Sequence, residues 1–201
     1  MSETATEQQL YLDPDPEGDV VLRYSKPDSD ASVSIRVSSK VLRLVSAVFK
    51  RMLSPTFKEG QELLQNNRVV IELKDDDSSL MRLIMNILHY QADSGEEAID
   101  AEKLARLANH CDKYDCTRAV SPWAATWFMK LEEQKSLHPQ YGFQLLAAYL
   151  FNASSQFSKI SKAAMSELKP SCSLQWPEEE LMALLPESVS SKQSSVSRGT
   201  K

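Results

Sequence analysis

Glycine is scarce. The chain has five in 201 residues, at positions 18, 60, 95, 142 and 199, too scattered for a G-x-G-x-x-G turn or a Walker loop. Most classes of nucleotide-binding enzyme are excluded with them. Histidine is scarcer still: His89, His110 and His138. Only His110 has cysteines close in sequence, Cys111 and Cys116, and no second pair completes a four-ligand zinc set. No metal and no cofactor are expected. Three cysteines, Cys111, Cys116 and Cys172, cannot all pair and read as free thiols of a reducing compartment. The longest apolar run is the seven residues from Leu145 to Phe151, against roughly 20 for a bilayer span. Met1 to Gln9 is polar and lacks the basic flank and apolar stretch of a secretory signal. The expectation is a protein of the cytoplasm or nucleus with no membrane contact.

What is present suits a folded domain. Hydrophobic residues make up 42% and charged residues 25%, enough for a core and a solvated surface. The 23 basic and 28 acidic residues leave a net charge of −5. Residues 1–17 carry five acidic and no basic residues, whereas residues 186–201 hold a net +2. The body, Gly18 to Leu185, therefore sits at only −2. Without a basic excess or finger wording, nucleic acid is not an expected partner. Both ends, 1–17 and 186–201, are too poor in apolar residues to offset ordering entropy and read as disordered.

Alternating apolar positions predict three strands: Val20, Leu22 and Tyr24; Val33, Ile35 and Val37; Val69, Ile71 and Leu73. A helix is predicted from about Lys40 to Leu53, with Val41, Leu44, Val45, Val48, Phe49 and Met52 on one stripe, stopped before Pro55. Further helices are predicted around Leu80–Leu88, Ala101–Asp115, from Ser121-Pro122 onward, Tyr141–Phe151 and Ser155–Leu168, with a short one over Glu178–Leu185. The order predicts an α+β fold, a small three-stranded sheet packed with a cluster of helices. The strands are expected beside the helices rather than in a βαβ layer.

Six pieces of sequence, in order, carry a resemblance. They are Gly18-Asp19-Val20-Val21-Leu22; Val37-Ser38-Ser39-Lys40-Val41-Leu42; Ser46-Ala47-Val48-Phe49-Lys50-Arg51-Met52; Ile71-x-Leu73-x-Asp75-Asp76; Leu88-His89-Tyr90; and Leu107-Ala108 with Asp112-Lys113-Tyr114. Together they resemble the BTB/POZ domains, and Ser39, standing where many animal members have His, is similar to the fungal branch. The resemblance covers about Gly18 to Leu131. Residues 132–185 are expected to form a helical extension, within which the helices from Tyr141 to Leu168 resemble the extension of fungal members.

This resemblance implies a protein-interaction module without catalysis. The leading reading is an adaptor or scaffold, with a cullin-type ubiquitin ligase among the implied partners. The alternative is a homo-oligomeric, transcription-associated module. A third reading, from another class, is a small hydrolase or transferase in the helical part. Two departures bear on assembly. The region before the first strand lacks the long apolar helix that many dimeric members swap, so a swapped homodimer is not expected. No separate substrate-recognition domain such as Kelch or MATH is expected either.

Cullin-binding members use a hydrophobic-x-Glu motif after the first long helix, and Phe57-Lys58-Glu59 is similar to it. An exposed aromatic fills a pocket while the carboxylate bonds at its rim. The bland alternative has Phe57 tucked under its own loop. Asp19 and Lys40 correspond to the family's charged pair near the dimer groove. The favoured reading is an internal ion pair joining the first strand to the helix start.

Other candidates read as structural. Asp75-Asp76-Asp77 lacks the Gly and Glu of a calcium loop and suits a helix N-terminus. Asn152-Ala153-Ser154 reads as a helix cap. Trp123, Trp127, Phe128 and Leu131 read as core.

Overall fold

A computed structural model of the chain describes residues 10–25, 32–73, 75–92, 99–133, 140–167 and 180–186. Cys172, His138, residues 1–9 and residues 187–201, with the expectations placed on them, lie outside the described residues. The chain divides into two compact units. One comprises Met1–Glu96 with Lys113–Val120, the other Glu97–Asp112 with Ser121–Lys201. The boundary expected near Leu131 does not coincide with this division.

The first unit is α+β. Its sheet holds the three expected strands, β2 (Val20–Ser25), β3 (Ser32–Val37) and β4 (Val69–Glu72). A fourth strand, β1 (Leu10–Leu12), joins them in the order β1-β3-β2-β4. This corrects two expectations: the sheet has four strands, and part of segment 1–17 is strand rather than disordered tail. β1 runs parallel to β3, with Leu12 opposite Ile35. Arg36 fastens the link that follows, reaching the Pro16 carbonyl at 3.1 Å and Asp13 at 3.9 Å.

β2 and β3 are antiparallel, and β4 lies parallel to β2. Register puts Ile35, Leu22 and Ile71 in one row, and Val37, Val20 and Val69 in the next. All six are buried. Three strands of period-2 side chains thus present one apolar face. On the other face Arg23 meets Glu72 at 2.9 Å.

Between β3 and β4 the predicted single helix is two. α1 spans Ser39–Val45 and α2 spans Ala47–Met52. Ser46 between them is extended, at φ −137° and ψ 120°. Its buried hydroxyl accepts the Phe49 amide and donates to the Tyr114 carbonyl at 2.5 Å. The serine therefore acts as an N-cap inside an apolar stripe. A third helix, α3 (Lys58–Asn66), follows where none was predicted. It buries only Gly60 and Leu63, too few positions to leave a periodic signal. Helix α4 (Ser78–Leu88) begins at Asp77, whose carboxylate accepts the Ser79 and Leu80 amides. Six of its residues, among them Met81, Ile84 and Met85, are buried. α4 touches α1 and β3.

Helices α5 (Ala101–Lys113) and α6 (Thr117–Glu133) each run across the division between the units. α6 starts four residues before the predicted Ser121-Pro122 start, so Pro122 lies inside it. At this sixth helical position proline lacks the N–H of one i→i−4 bond, that to the Arg118 carbonyl.

In the second unit, α5 buries Leu104, Ala105, Leu107, Ala108 and Cys111. Trp127 and Phe128 of α6 are buried, whereas Trp123 and Leu131 are only partly so. α7 (Tyr141–Leu150) is apolar nearly all round and buried to match; it packs on α8 (Ser154–Glu167) and on a 3₁₀ turn, Glu180–Leu184. Among the described residues, no helix is long and apolar enough to cross a membrane.

Two helices end alike. After α7, Ala153 N–H bonds the Ala148 carbonyl and Asn152 N–H bonds that of Tyr149, with Asn152 at φ 53°. After α4, Gln91 N–H bonds the Asn86 carbonyl and Tyr90 N–H bonds that of Ile87, with Tyr90 at φ 58°. Both are Schellman endings, whose left-handed residue is ordinarily Gly or Asn. Among the described residues, Asn67, Asp115 and Asn152 are the other non-glycine residues with positive φ, and all are of the tolerant types. Tyr90 is the exception, and at 97% exposure it packs on nothing in return. Tyr90→Asn is therefore expected to stabilise the protein by about 1 kcal/mol in urea unfolding; a loss of stability would show that the ring is held by contacts.

Candidate protein-binding surface

The predicted site residues lie in the first unit, at the start of β2 and along the helices that follow β3. Asp19 stands just before β2 and is half-buried. Its carboxylate accepts the Ser39 amide and the Ser39 hydroxyl, both at 2.7 Å. Lys40 is exposed and forms no ion pair with Asp19. The expected charged pair is thus corrected by one residue. A backbone amide and a hydroxyl at a helix start satisfy the carboxylate, and the lysine head stays in water. Burial works against the Asp19 anion. The two Ser39 bonds and the nearby Arg43 cation outweigh it and hold its pKa below the usual value.

His89 fixes the neighbouring amide. Its Nδ1 lies 2.9 Å from the Met85 carbonyl and its Nε2 accepts the Ser38 amide at 3.0 Å. This geometry calls for a neutral ring with the proton on Nδ1. Burial pushes its pKa down, against the Met85 bond and the more distant Asp15, which favour the cation.

The Phe57-Lys58-Glu59 motif opens α3. Phe57 is its N-cap residue and is 41% exposed, Lys58 is exposed, and Glu59 is half-buried in the first turn. Phe57 is therefore not tucked beneath its loop. The turn before it is fastened from several sides. The Arg43 guanidinium donates to the Leu53 carbonyl, Phe57 N–H bonds the Ser54 carbonyl at 3.0 Å, and Ser54 and Thr56 hydroxyls pair at 2.7 Å. Gly60 is required because a Cβ there would collide with the Ser54 carbonyl. Helix and turn thus meet backbone to backbone, which fixes where Phe57 projects. Leu64, two turns after Phe57, is also exposed.

A polar knot around Asp76, connected to α2 through Phe49, was missed by sequence reasoning. The Asp76 side chain is only 3% exposed and bonds Lys113 Nζ at 2.8 Å. Its other oxygen accepts the Tyr114 hydroxyl at 2.7 Å. Tyr114 stacks on Phe49 with ring centroids 4.9 Å apart and planes within 4°. Burial and the acceptor Asp76 both raise the Tyr114 pKa, so the phenol stays protonated as a donor. The Asp-Lys and Asp-Tyr spacings, 37 and 38 residues apart, leave no local pattern to read.

No known family model matches the chain, and no curated protein does either.

Other candidates are dispersed. His110 Nδ1 lies 2.9 Å from the Arg106 carbonyl. Cys111 and Cys116 are buried and unbridged. Among the described residues no group of three or more His, Cys, Asp or Glu is arranged to hold a metal.

The start of α1 is the titratable part of this surface. Folding holds His89 below its ordinary 6.5, so between the two values the folded state binds fewer protons than the unfolded chain. The His89 contribution is full above pH 6.5 and is lost as pH falls through the lowered value. Unfolding free energy should therefore drop on acidification from neutral pH, and His89→Gln, whose carbonyl can still accept the Ser38 amide, should flatten that slope. An unchanged slope in the variant would show that His89 is not the titrating group.

Proposed function

We propose that the first unit is a BTB/POZ-like interaction module and that the chain is an adaptor or scaffold rather than an enzyme. What supports the fold reading is which pieces touch. The six segments that carry the resemblance are linked: Asp19 to Ser39, Ser38 to His89, Leu22 to Ile71 by strand pairing, Ser46 and Phe49 to Tyr114, and Asp76 to Lys113 and Tyr114. Residues quoted as one pattern thus form one set of contacts.

The observation that carries the functional reading is the exposed Phe57 beside Glu59, on a turn held by backbone contacts. A fixed, exposed aromatic loses little entropy on binding, and an adjacent carboxylate adds a directional bond. A cullin-type scaffold is the partner that the motif implies. In this reading Phe57 fills an apolar pocket and Glu59 bonds at its rim.

The purified N-terminal domain of a cullin should bind the protein in calorimetry. Phe57→Ala should weaken binding by about 2 kcal/mol, the size of an interface hot spot, with melting unchanged. Equal binding by Phe57→Ala would overturn the assignment of the motif, and absence of binding by the wild type would overturn the cullin partner.

A further inference from the structure

The near-neutral body conceals a cancellation. From Ala31 to Lys58 the sequence has six basic residues and no acidic one, whereas from Glu59 to Glu97 it has nine acidic and three basic. Arg36 is engaged by Asp13 and Pro16. The other five, Lys40, Arg43, Lys50, Arg51 and Lys58, are all exposed, and none forms an ion pair among the described residues.

The fold gathers them. Lys40, Arg43 and Leu44 are one turn apart on α1 and share a face. Arg43 reaches the Leu53 carbonyl at the end of α2, whose last turn carries Lys50 and Arg51. One hydrogen bond thus joins the cations of α1 to those of α2. Leu44, among them, is 85% exposed.

Local stability accounts for part of this arrangement. Arg43, Lys50 and Arg51 stand in last helical turns, where cations suit the macrodipole. Lys40 stands in the first turn of α1, where a cation opposes it. Leu44 gains nothing from folding at that exposure. These two residues point to a partner instead.

We propose that this α1–α2 face binds an acidic peptide segment of another protein, with Lys40, Lys50 and Arg51 meeting its carboxylates and Leu44 meeting an apolar residue between them. The charge complementarity is direct, since the four cations of α1 and α2 repel one another until an anionic partner relieves them. In a second copy of this chain, three acidic residues of the first unit are already engaged and are not available to this face. Asp76 is buried on Lys113, Asp77 caps α4, and Glu72 holds Arg23. Nucleic acid supplies phosphates but no aliphatic contact for Leu44. The proposal uses different residues from the Phe57 motif and does not depend on it.

The test uses the full chain and a short fluorescent peptide rich in Glu and Asp with one central Leu, read by anisotropy. Binding should be saturable and should weaken as salt rises. The triple variant Lys40→Glu, Lys50→Glu, Arg51→Glu should weaken it by about tenfold or more. Should that variant lose its fold, the neutral set Lys40→Gln, Lys50→Gln, Arg51→Gln serves in its place, with the same direction expected. Replacing the peptide leucine by Ser should weaken binding several-fold, as should Leu44→Ser. Phe57→Ala should leave it intact. The proposal is overturned by no saturable binding to the wild type, by equal binding to the charge variants, or by loss with Phe57→Ala alone. Tighter binding of single-stranded DNA or of phosphatidylserine vesicles than of the peptide would overturn it as well.

Discussion

Ser46 decides the course of the chain in the first unit. Its hydroxyl is buried and uses both of its capacities, donating to Tyr114 and accepting from Phe49. These bonds hold the residue extended, so α1 cannot run on into α2. The same contact brings Phe49 onto the Tyr114 ring, and Tyr114 then reaches Asp76. Residues far apart in sequence, from α2, the turn before α4 and the end of α5, are thereby drawn together. Because α2 ends where it does, Arg43 meets the Leu53 carbonyl, and the turn to Phe57 packs under Gly60. The candidate surface is therefore a consequence of one buried hydroxyl.

That consequence was not legible from pattern. Val41, Leu44, Val45, Val48, Phe49 and Met52 recur at helical spacing straight through Ser46. Periodicity reports which face is apolar, not where the backbone breaks. The pattern also misplaced Leu44, which lies on the apolar stripe and yet is exposed. The strands β2, β3 and β4 were legible because one face is buried and side chains alternate. β1 was not, since three residues are too short to show a period. The parallel pairing of β4 on β2 also escaped, because alternation does not reveal direction. α6 escaped in its start: the Ser121-Pro122 signature is a strong beginning, but proline near an N-terminus does not require one. Of the site, Phe57-Lys58-Glu59 was legible as a motif, and structure adds its exposure. Asp19 was legible as a bonded carboxylate and Lys40 was not its partner.

Charge is used in three distinct ways in this unit. Asp76, its side chain buried, holds the exposed Lys113 and the buried Tyr114 and so fixes geometry. Asp19 and His89 bind the first amides of α1 and Ser38, making that helix start sensitive to acid. Lys40, Lys50 and Arg51 form no ion pair among the described residues and face solvent. Net charge averages over all three uses, which is why a body at −2 says little about partners. Segment by segment, the charge pattern points to an interaction surface.

The most direct test of the account is the unfolding free energy of Ser46→Ala in urea. Alanine is the better helix former and would by propensity favour one continuous helix. If Ser46 governs the fold, the variant should nevertheless lose about 2–3 kcal/mol, the sum of a lost cap and a buried carbonyl left without its donor. Equal or greater stability in Ser46→Ala would contradict the account and show that the break between α1 and α2 is imposed from elsewhere.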